Sequence, residues 1–352
     1  MEQLQKLISQ YAEHPSVCRL ADVIQQTKHI HLEHVHGSSA SFITAATFSK
    51  LNQPLLMVLP DREEAAYYFN DLENLMGTGK VLFFPASYRK PFKLNGHDTS
   101  AIQMRAEVLS YINKHRDYFL VVSYAEAIAE NVVTKNVLEQ STIEARVGES
   151  LSIDFINEFL TENNFQRTDF VFEPGQYAIR GGIVDVYSFA YELPYRLEFD
   201  GNNIQSIRSF DPVTQLSDKN LQFVTIIPNI QSELKNNNTE SFFRFLPDNI
   251  LIVTRDLGYQ LQYLQENFEV LSKIEIPAEE KQDYDDAKNV YPLFELISES
   301  FGKHTNVEFG VKSNYGDAVE IPFHIKPQPQ FNKNFNLLSE NLIANKAGKT
   351  QT

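Results

Sequence analysis

Residues 172–210 read FEPGQYAIRGGIVDVYSFAYELPYRLEFDGNNIQSIRSF, and they decide the fold of the middle of the chain. The opening Glu173-Pro174-Gly175-Gln176 predicts a type II turn, because Pro presets φ and Gly tolerates the positive φ that follows. Asp200–Asn203 has the composition of a hairpin connection. The residues between and after these turns predict four short strands: Tyr177–Arg180, Ile183–Tyr187, Tyr195–Phe199 and Ile204–Phe210.

One of these strands has a strict alternation of apolar and charged residues. In Tyr195–Phe199, the aromatic and leucine side chains share one face, and Arg196 and Glu198 share the other. A small antiparallel sheet with one apolar and one charged face is more typical of a docking surface than of a catalytic cleft. The stretch therefore predicts an interaction domain.

Composition limits the function classes. The chain has 352 residues, 42% of them hydrophobic, which is enough for two or three domains with their own cores. The net charge of −15 disfavours a sequence-independent binder of nucleic acid, because phosphate neutralisation needs an excess of Lys and Arg. Cys18 is the sole cysteine, and the sequence has neither a signal-peptide pattern nor a run of about 20 apolar residues. We expect a cytoplasmic protein without membrane contact.

The chain changes character twice along its length. Residues 1–135 alternate short apolar strands with amphipathic helices, as α/β proteins do. Residues 136–222 predict a helix followed by a β-meander, and residues 223–352 return to the α/β pattern and end in a predicted amphipathic helix at Asn334–Lys346. The order predicts a parallel-sheet α/β domain that is split by an inserted α+β domain with an antiparallel sheet. The end of the chain is typical of the start of a linker to further domains.

A degenerate nucleotide-binding loop lies after the first predicted strand. Gly37 and Ser39 belong to a small-residue loop before a helix, which is the layout of a phosphate-binding loop. Against the pattern G-x-x-x-x-G-K-[ST], however, His34 replaces the first Gly, Ser39 the second, and Ala40 the Lys, so that only Ser41 is retained. The missing Lys is the cation that contacts the β- and γ-phosphates.

The partner motif for hydrolysis is also altered. A buried strand ending in Asp-Glu would organise Mg²⁺ and water, but the corresponding strand here ends in Arg255-Asp256. A cation therefore stands where a metal ligand belongs. The two losses together predict a helicase-like scaffold without catalytic activity and without a nucleotide or metal cofactor.

Two further constellations have more than one interpretation. His29, His31, His34 and His36 resemble a metal cluster, but alternate residues of a strand point to opposite faces, which favours a strand edge and no metal site. Arg180 follows small Ala178 and precedes two glycines, so it is well presented to a partner. An ion pair with a neighbouring strand's carboxylate explains Arg180 equally well.

The sequence resembles a known family at several blocks. Besides the strand at residues 195–199, the matching segments are residues 84–85, 103–105, 174–187, 204–208, 210–215 and 331–338. These segments resemble the N-terminal third of bacterial transcription-repair coupling factor (Mfd), which is similar to the excision-repair helicase UvrB. The resemblance covers nearly the whole chain and is most specific from Arg180 to Gln215.

The resemblance implies a function. It implies an α/β domain split by a domain that binds UvrA, and a role in recruiting UvrA to stalled RNA polymerase in transcription-coupled nucleotide excision repair. In the family, the ATP- and Mg²⁺-dependent DNA translocase and the contacts with RNA polymerase and duplex DNA lie beyond residue 352. The alternative is an ATP-dependent, DNA-handling helicase component like UvrB itself.

The resemblance also implies partner-binding residues. The family's UvrA contacts fall on the sheet of the inserted domain, where the Arg before the Gly-Gly pair corresponds to Arg180. Arg196 and Glu198 correspond to the charged face of the next strand, and Arg167 lies before the Pro-Gly turn. We expect Arg180→Ala to weaken UvrA binding and to leave thermal stability nearly unchanged.

Overall fold

The computed structural model describes residues 2–77, 79–115, 118–229, 238–273, 290–327 and 331–347. Its first part alternates helices and strands, as the apolar runs predict. The elements are α1 Glu2–Glu13, α2 Pro15–Ile24, β1 His29–Glu33, α3 Ser39–Leu51, β2 Leu55–Leu59, α4 Arg62–Met76, β3 Val81–Phe84, α5 Thr99–Lys114, β4 Leu120–Tyr124, α6 Ala125–Ala129, β5 Val132–Val133 and α7 Lys135–Gln140.

The middle of the chain is rich in strands, and the last part returns to the alternating pattern. The middle elements are β6 Ile143–Arg146, α8 Ile153–Glu162, β7 Gln166–Arg167, β8 Gln176–Arg180, β9 Ile183–Val186, β10 Tyr195–Asp200, β11 Asn203–Phe210, β12 Ser217–Leu221 and β13 Phe223–Ile226. The last elements are β14 Thr239–Glu240, α9 Phe242–Phe245, β15 Leu251–Arg255, α10 Leu257–Leu271, α11 Phe294–Lys303, β16 Thr305–Phe309, β17 Val319–Pro322 and α12 Phe335–Ala347.

A seven-stranded sheet, the first sheet, holds the two α/β parts together. Its strand order is β17-β1-β16-β15-β2-β4-β3, and all its strand pairs are parallel. Every residue of β2 is buried, as expected for a strand with helices on both faces. Because β15 pairs with β2 and β16, the chain returns to the centre of this sheet after the strand-rich middle.

The middle strands form the second sheet, in the order β12-β11-β10-β9-β8-β7. The predicted turns are present: Gly175 has a φ of 85°, and the Gln176 amide donates to the Glu173 carbonyl at 3.2 Å. Asp200 pairs with Asn203 across the predicted hairpin connection. The sequence predicted an antiparallel sheet, but β7 pairs parallel to β8, so the sheet is mixed. The reason is that β7 precedes the Pro-Gly turn and does not continue the meander.

The second sheet has one apolar face, as the alternation predicts. Tyr195 and Leu197 are buried in a cluster that includes Ile156 and Leu160 of α8. The β6–β13 pair adds Ala145, Val224 and Ile226 to the same cluster. The α/β fold with a parallel sheet and a separate second sheet is thereby confirmed. The limits of the inserted domain at residues 136 and 222 stay a prediction.

The last helix differs from its predicted character. The sequence predicted an amphipathic helix, but four large apolar side chains of α12 are exposed: Phe335, Leu337, Leu342 and Ile343. Within the described ranges, no helix has the length and apolar character needed to cross a membrane.

Candidate functional site

The second sheet presents a row of charged side chains on the face opposite its apolar cluster. We call Arg180, Asp185, Arg196, Glu198 and Arg208 the charged face. The strand register brings them together, because β9 places Asp185 opposite Arg196, and β10 places Arg196 opposite Arg208. Side chains directly opposite each other on neighbouring strands lie close enough to pair.

Asp185 is the centre of this face. Its side chain is fully buried, and the Arg196 guanidinium donates to it twice, from Nε at 2.7 Å and from Nη2 at 2.9 Å. The Nη2 group of Arg180 donates to the same carboxylate. The hydrogen bonds between Arg196 and Asp185 raise the pKa of Arg196. Two guanidinium groups therefore share one carboxylate, and the cluster carries one net positive charge.

The Arg180 side chain is anchored at Asp185 and is also partly exposed to solvent. Its side chain is 36% exposed, its Nη1 donates to the Asp169 carbonyl at 2.6 Å, and its guanidinium lies 5.3 Å from the centre of the Phe170 ring. Of the two alternatives that the sequence left open, the ion pair with Asp185 is present, and presentation of Arg180 to a partner stays a prediction.

The other predicted partner-binding residues are arranged differently. Glu198 does not pair with Arg180; its carboxylate accepts from the Ser206 hydroxyl at 2.7 Å and from Arg208. These contacts, led by the Ser206 hydrogen bond, lower the pKa of Glu198. Arg167 is exposed on β7 and lines a hollow with Arg180.

Sequence reasoning missed part of this face. Arg208 was not among the predicted site residues, although it lies opposite Arg196 on the charged side. Phe170 was also missed, because it lies in a loop where no alternation indicates the direction of a side chain. A period of two could not identify Arg208, because Ile204 has the same parity in the strand but lies in the apolar cluster, and the pairing shifts between Ile204 and Ser206.

The degenerate nucleotide loop occupies the carboxyl end of β1. Gly37 has a φ of 57°, which suits the turn into α3, and the Ser39 hydroxyl donates to the His36 carbonyl at 2.6 Å. Ala40 is buried at the position of the missing Lys. The retained Ser41 is buried and donates its hydroxyl to the Asp71 carboxylate of α4 at 3.1 Å, so that it is engaged within the fold.

The altered hydrolysis motif is likewise engaged within the chain. Arg255 forms an ion pair with Glu64 of α4. Asp256 has a φ of 48°, and its Oδ1 accepts from the Val311 amide at 3.1 Å. Gly310 is required at its position, because a Cβ there would lie 2.2 Å from that oxygen.

A hollow of about 420 Å³ lies between these two motifs. Among the described residues, four carboxylates and one guanidinium line it, together with Gly37, Ser38, Tyr67 and Tyr68; the charged groups are Asp61, Glu63, Glu64, Asp71 and Arg255. Burial, together with Glu64, raises the pKa of Tyr68 to about 12, so its hydroxyl stays protonated. A lining with this excess of negative charge repels a polyphosphate.

The four histidines do not form a cluster. His29 contacts Asp317 at 2.8 Å and stacks on Tyr315, whereas His31 is buried within the sheet. His34 stacks on His324 at the end of the strand. Across the residues that the structure describes, no group of three or more His, Cys, Asp or Glu side chains is placed to hold a metal ion.

Comparison with known proteins relates the second sheet to an interaction domain of UvrB-like proteins. Residues 143–231 match the UvrB interaction domain. The chain is 26% identical over 257 residues to transcription-repair-coupling factor of Myxococcus xanthus, covering 70% of this chain and 21% of that protein. The corresponding protein of Bacillus subtilis (strain 168) is 29% identical over 194 residues, covering 54% of this chain and 16% of the relative.

A second kind of relative matches the same chain. UvrABC system protein B of Thermotoga neapolitana is 26% identical over 210 residues, covering 56% of this chain and 31% of that protein. The chain therefore spans less than a third of the length of each of these three relatives. The charged face lies wholly inside the matched interaction domain.

Proposed function

We propose that this chain is a non-catalytic adaptor for UvrA. The premise is that the chain is a UvrB-like module of the kind found at the N-terminus of transcription-repair coupling factors. UvrA binds the charged face of the second sheet in this proposal. The supporting observation is Arg180, which is partly exposed and is fixed by a fully buried carboxylate within the matched domain.

The mechanism of binding follows from this preorganisation. Asp185 holds the guanidinium groups of Arg180 and Arg196 before a partner arrives, so little side-chain entropy is lost on binding. Each arginine keeps donors that point away from Asp185, and an acidic group of the partner can accept from them. Preorganised arginines at the centre of an interface are frequent hot spots.

The rest of the fold acts as a scaffold in this proposal. The first sheet is a degenerate, helicase-like P-loop domain, and residues 136–222 form the inserted UvrA-binding domain. Ala40 and Arg255 stand at the two positions where a nucleotide enzyme needs a cation and a metal ligand, respectively. The segment therefore uses neither ATP nor Mg²⁺.

The complete family member would supply the remaining activities. We place the ATP-driven translocase and the contacts with RNA polymerase and duplex DNA outside these 352 residues. In that arrangement, the present segment recruits UvrA to a lesion that is marked by a stalled polymerase, during transcription-coupled nucleotide excision repair.

The test is the affinity of the 352-residue chain for purified UvrA, measured by biolayer interferometry. We expect Arg180→Ala to raise Kd by about 30-fold, the loss typical of a hot-spot arginine. Arg146→Ala is the matched control, because Arg146 lies in the same domain, pairs with Glu144 and stacks on Phe223. An unchanged Kd for Arg180→Ala, or an equal loss for Arg146→Ala, contradicts the site.

The alternative function is an ATP-dependent helicase component. It requires that ATP with Mg²⁺ bind in the hollow beside Arg255. Thermal melting with millimolar ATP and Mg²⁺ separates the two functions, because a ligand that binds the folded state raises the melting temperature. We expect no shift. A reproducible rise, or hydrolysis above the background of a mock purification, favours the helicase.

A further inference from the structure

Two surface segments beside the charged face carry exposed apolar side chains. Residues 168–173 lead into the Pro-Gly turn, and residues 211–216 follow β11. Phe170 and Phe172 are 52% and 54% exposed, and Val213 and Leu216 are more exposed still. We call these four side chains the apolar rim. Single exposed apolar residues are common, but a group of them beside partly exposed arginines is typical of an interface.

Hydrogen bonds fix the two segments to each other. The side-chain amide of Gln215 donates to the carbonyls of Val171 at 3.1 Å and of Pro212 at 2.7 Å. Asp211 accepts from the backbone amides of Val213 at 2.9 Å and of Thr214 at 2.7 Å. The second segment is thus a closed turn tied to the first one, and its exposed side chains project from an ordered backbone.

The first segment, residues 168–173, is fixed by a buried side chain and a hydrogen bond. Val171 is fully buried with Ala178 and Phe210, so the flanking Phe170 and Phe172 are directed outward. The Gln176 side chain accepts from the Phe172 amide at 2.9 Å. Ordered aromatic side chains are efficient binding groups, because they bury a large area and lose little conformational freedom.

The rim is continuous with the charged face. Phe170 lies against the Arg180 guanidinium, and the Arg196 Nη1 donates to the Gln215 carbonyl at 3.4 Å. Arg167 lines the same hollow as Phe170 and Arg180. A chain with a net charge of −15 therefore places an exposed aromatic side chain in one hollow with two arginines.

We infer that the apolar rim is the hydrophobic centre of the UvrA interface and that Phe170 and Phe172 are its anchors. The inference rests on the proposed function and extends it to Phe170 and Phe172, which lie outside the segments that carry the family resemblance. Charge complementarity specifies the occupant: the UvrA surface that covers the rim presents an apolar pocket bordered by carboxylates, which pair with Arg167 and Arg180.

The test compares aromatic side chains of equal exposure in the same domain. Phe170→Ala and Phe172→Ala are each expected to raise the Kd for UvrA by about tenfold, and the double variant by more than either. Phe223→Ala and Phe155→Ala are the controls, because these rings are 51% and 49% exposed but lie away from the charged face. The controls are expected to stay within about twofold of the wild type.

The outcomes separate the inference from the function on which it rests. If Arg180→Ala weakens binding and the rim variants behave like the controls, the inference is wrong and the adaptor function stands. If the wild-type chain does not bind UvrA, both are wrong. If the double variant changes the sedimentation coefficient of the chain alone and leaves UvrA affinity intact, the rim covers a second copy of the chain, which also overturns the inference.

Discussion

Replacing Asp185 with Ala should destabilise the second sheet more than any single change on its charged face. Asp185 is fully buried and accepts two hydrogen bonds from Arg196 and one from Arg180. Hydrogen bonds to charged groups contribute about 1.5–3 kcal/mol each, and removal of one partner of a buried ion pair costs about 3–5 kcal/mol. Both arginines are partly exposed and can turn toward water, so we expect about 3 kcal/mol.

Replacing either arginine with Ala should cost less stability than replacing Asp185, and the two arginine variants should differ from each other. Arg180→Ala leaves Asp185 with both hydrogen bonds from Arg196, and Arg180 is itself more than a third exposed, so we expect a loss of about 1 kcal/mol. Arg196→Ala removes the bidentate partner of a buried carboxylate, and we expect about 2 kcal/mol or more. Glu158→Ala is the control for Asp185→Ala, because it also removes one negative charge but does so on the exposed side of α8.

Hydrogen exchange followed by mass spectrometry is the appropriate assay. A chain with two sheets need not unfold in one step, whereas the exchange of amides in β8, β9 and β10 reports the opening of this sheet alone. Equal protection in Asp185→Ala and Glu158→Ala would refute the view that the buried carboxylate organises the face. A larger loss in Arg180→Ala than in Asp185→Ala would refute it as well.

Two further predictions concern other charged groups. Arg105 is buried, donates to three backbone carbonyls and pairs with Glu130, so Arg105→Met should cost about 3–5 kcal/mol in urea unfolding; adding Glu130→Gln to that variant should cost less than the sum of the two single changes. Because the pKa of Glu198 is lowered, its contribution to stability is present above its ordinary value of 4.5 and is lost as the pH falls through its lower folded value. The difference in melting temperature between wild type and Glu198→Gln should therefore shrink between pH 5 and pH 3, and a constant difference would contradict this assignment.

Four of the six strands of the second sheet were predictable because local signals agree there. Proline and glycine mark the turn at 173–176, and alternation assigns Tyr195 and Leu197 to the core. The partner of Glu198 was not predictable, because the strand pairing shifts at Glu198/Phe199 and the register of a bulged hairpin cannot be read from a period of two.

The contacts of the degenerate loop could not be predicted from the sequence for a different reason. Arg255 pairs with Glu64, which lies 191 residues earlier, and Ser41 pairs with Asp71 on another helix. The sequence predicted a loop that has lost the residues needed for ATP, but only the fold shows which groups Ser41 and Arg255 contact. For the same reason, the sequence predicted that Arg180→Ala leaves stability nearly unchanged, because only the fold shows that Arg180 donates to the fully buried carboxylate of Asp185.

The internal contacts of the degenerate loop also bear on how the second sheet is presented. In a nucleotide enzyme, phosphates and Mg²⁺ bridge the loop, the neighbouring helix and the central strand. Here Ser41 joins α3 to α4, Arg255 joins β15 to α4, and Asp256 joins β15 to the loop after β16. These three contacts therefore join the same elements within the chain.

The α/β part is connected directly to the matched interaction domain. At its edge, the Lys114 Nζ of α5 donates to the Thr225 hydroxyl at 2.8 Å and pairs with Glu144, which joins the scaffold to the β6–β13 pair. The hydrogen bond from Lys114 lowers the pKa of Glu144, so this connection persists at neutral pH. In the proposed function, UvrA therefore meets a sheet that is joined to the α/β part by contacts within the chain.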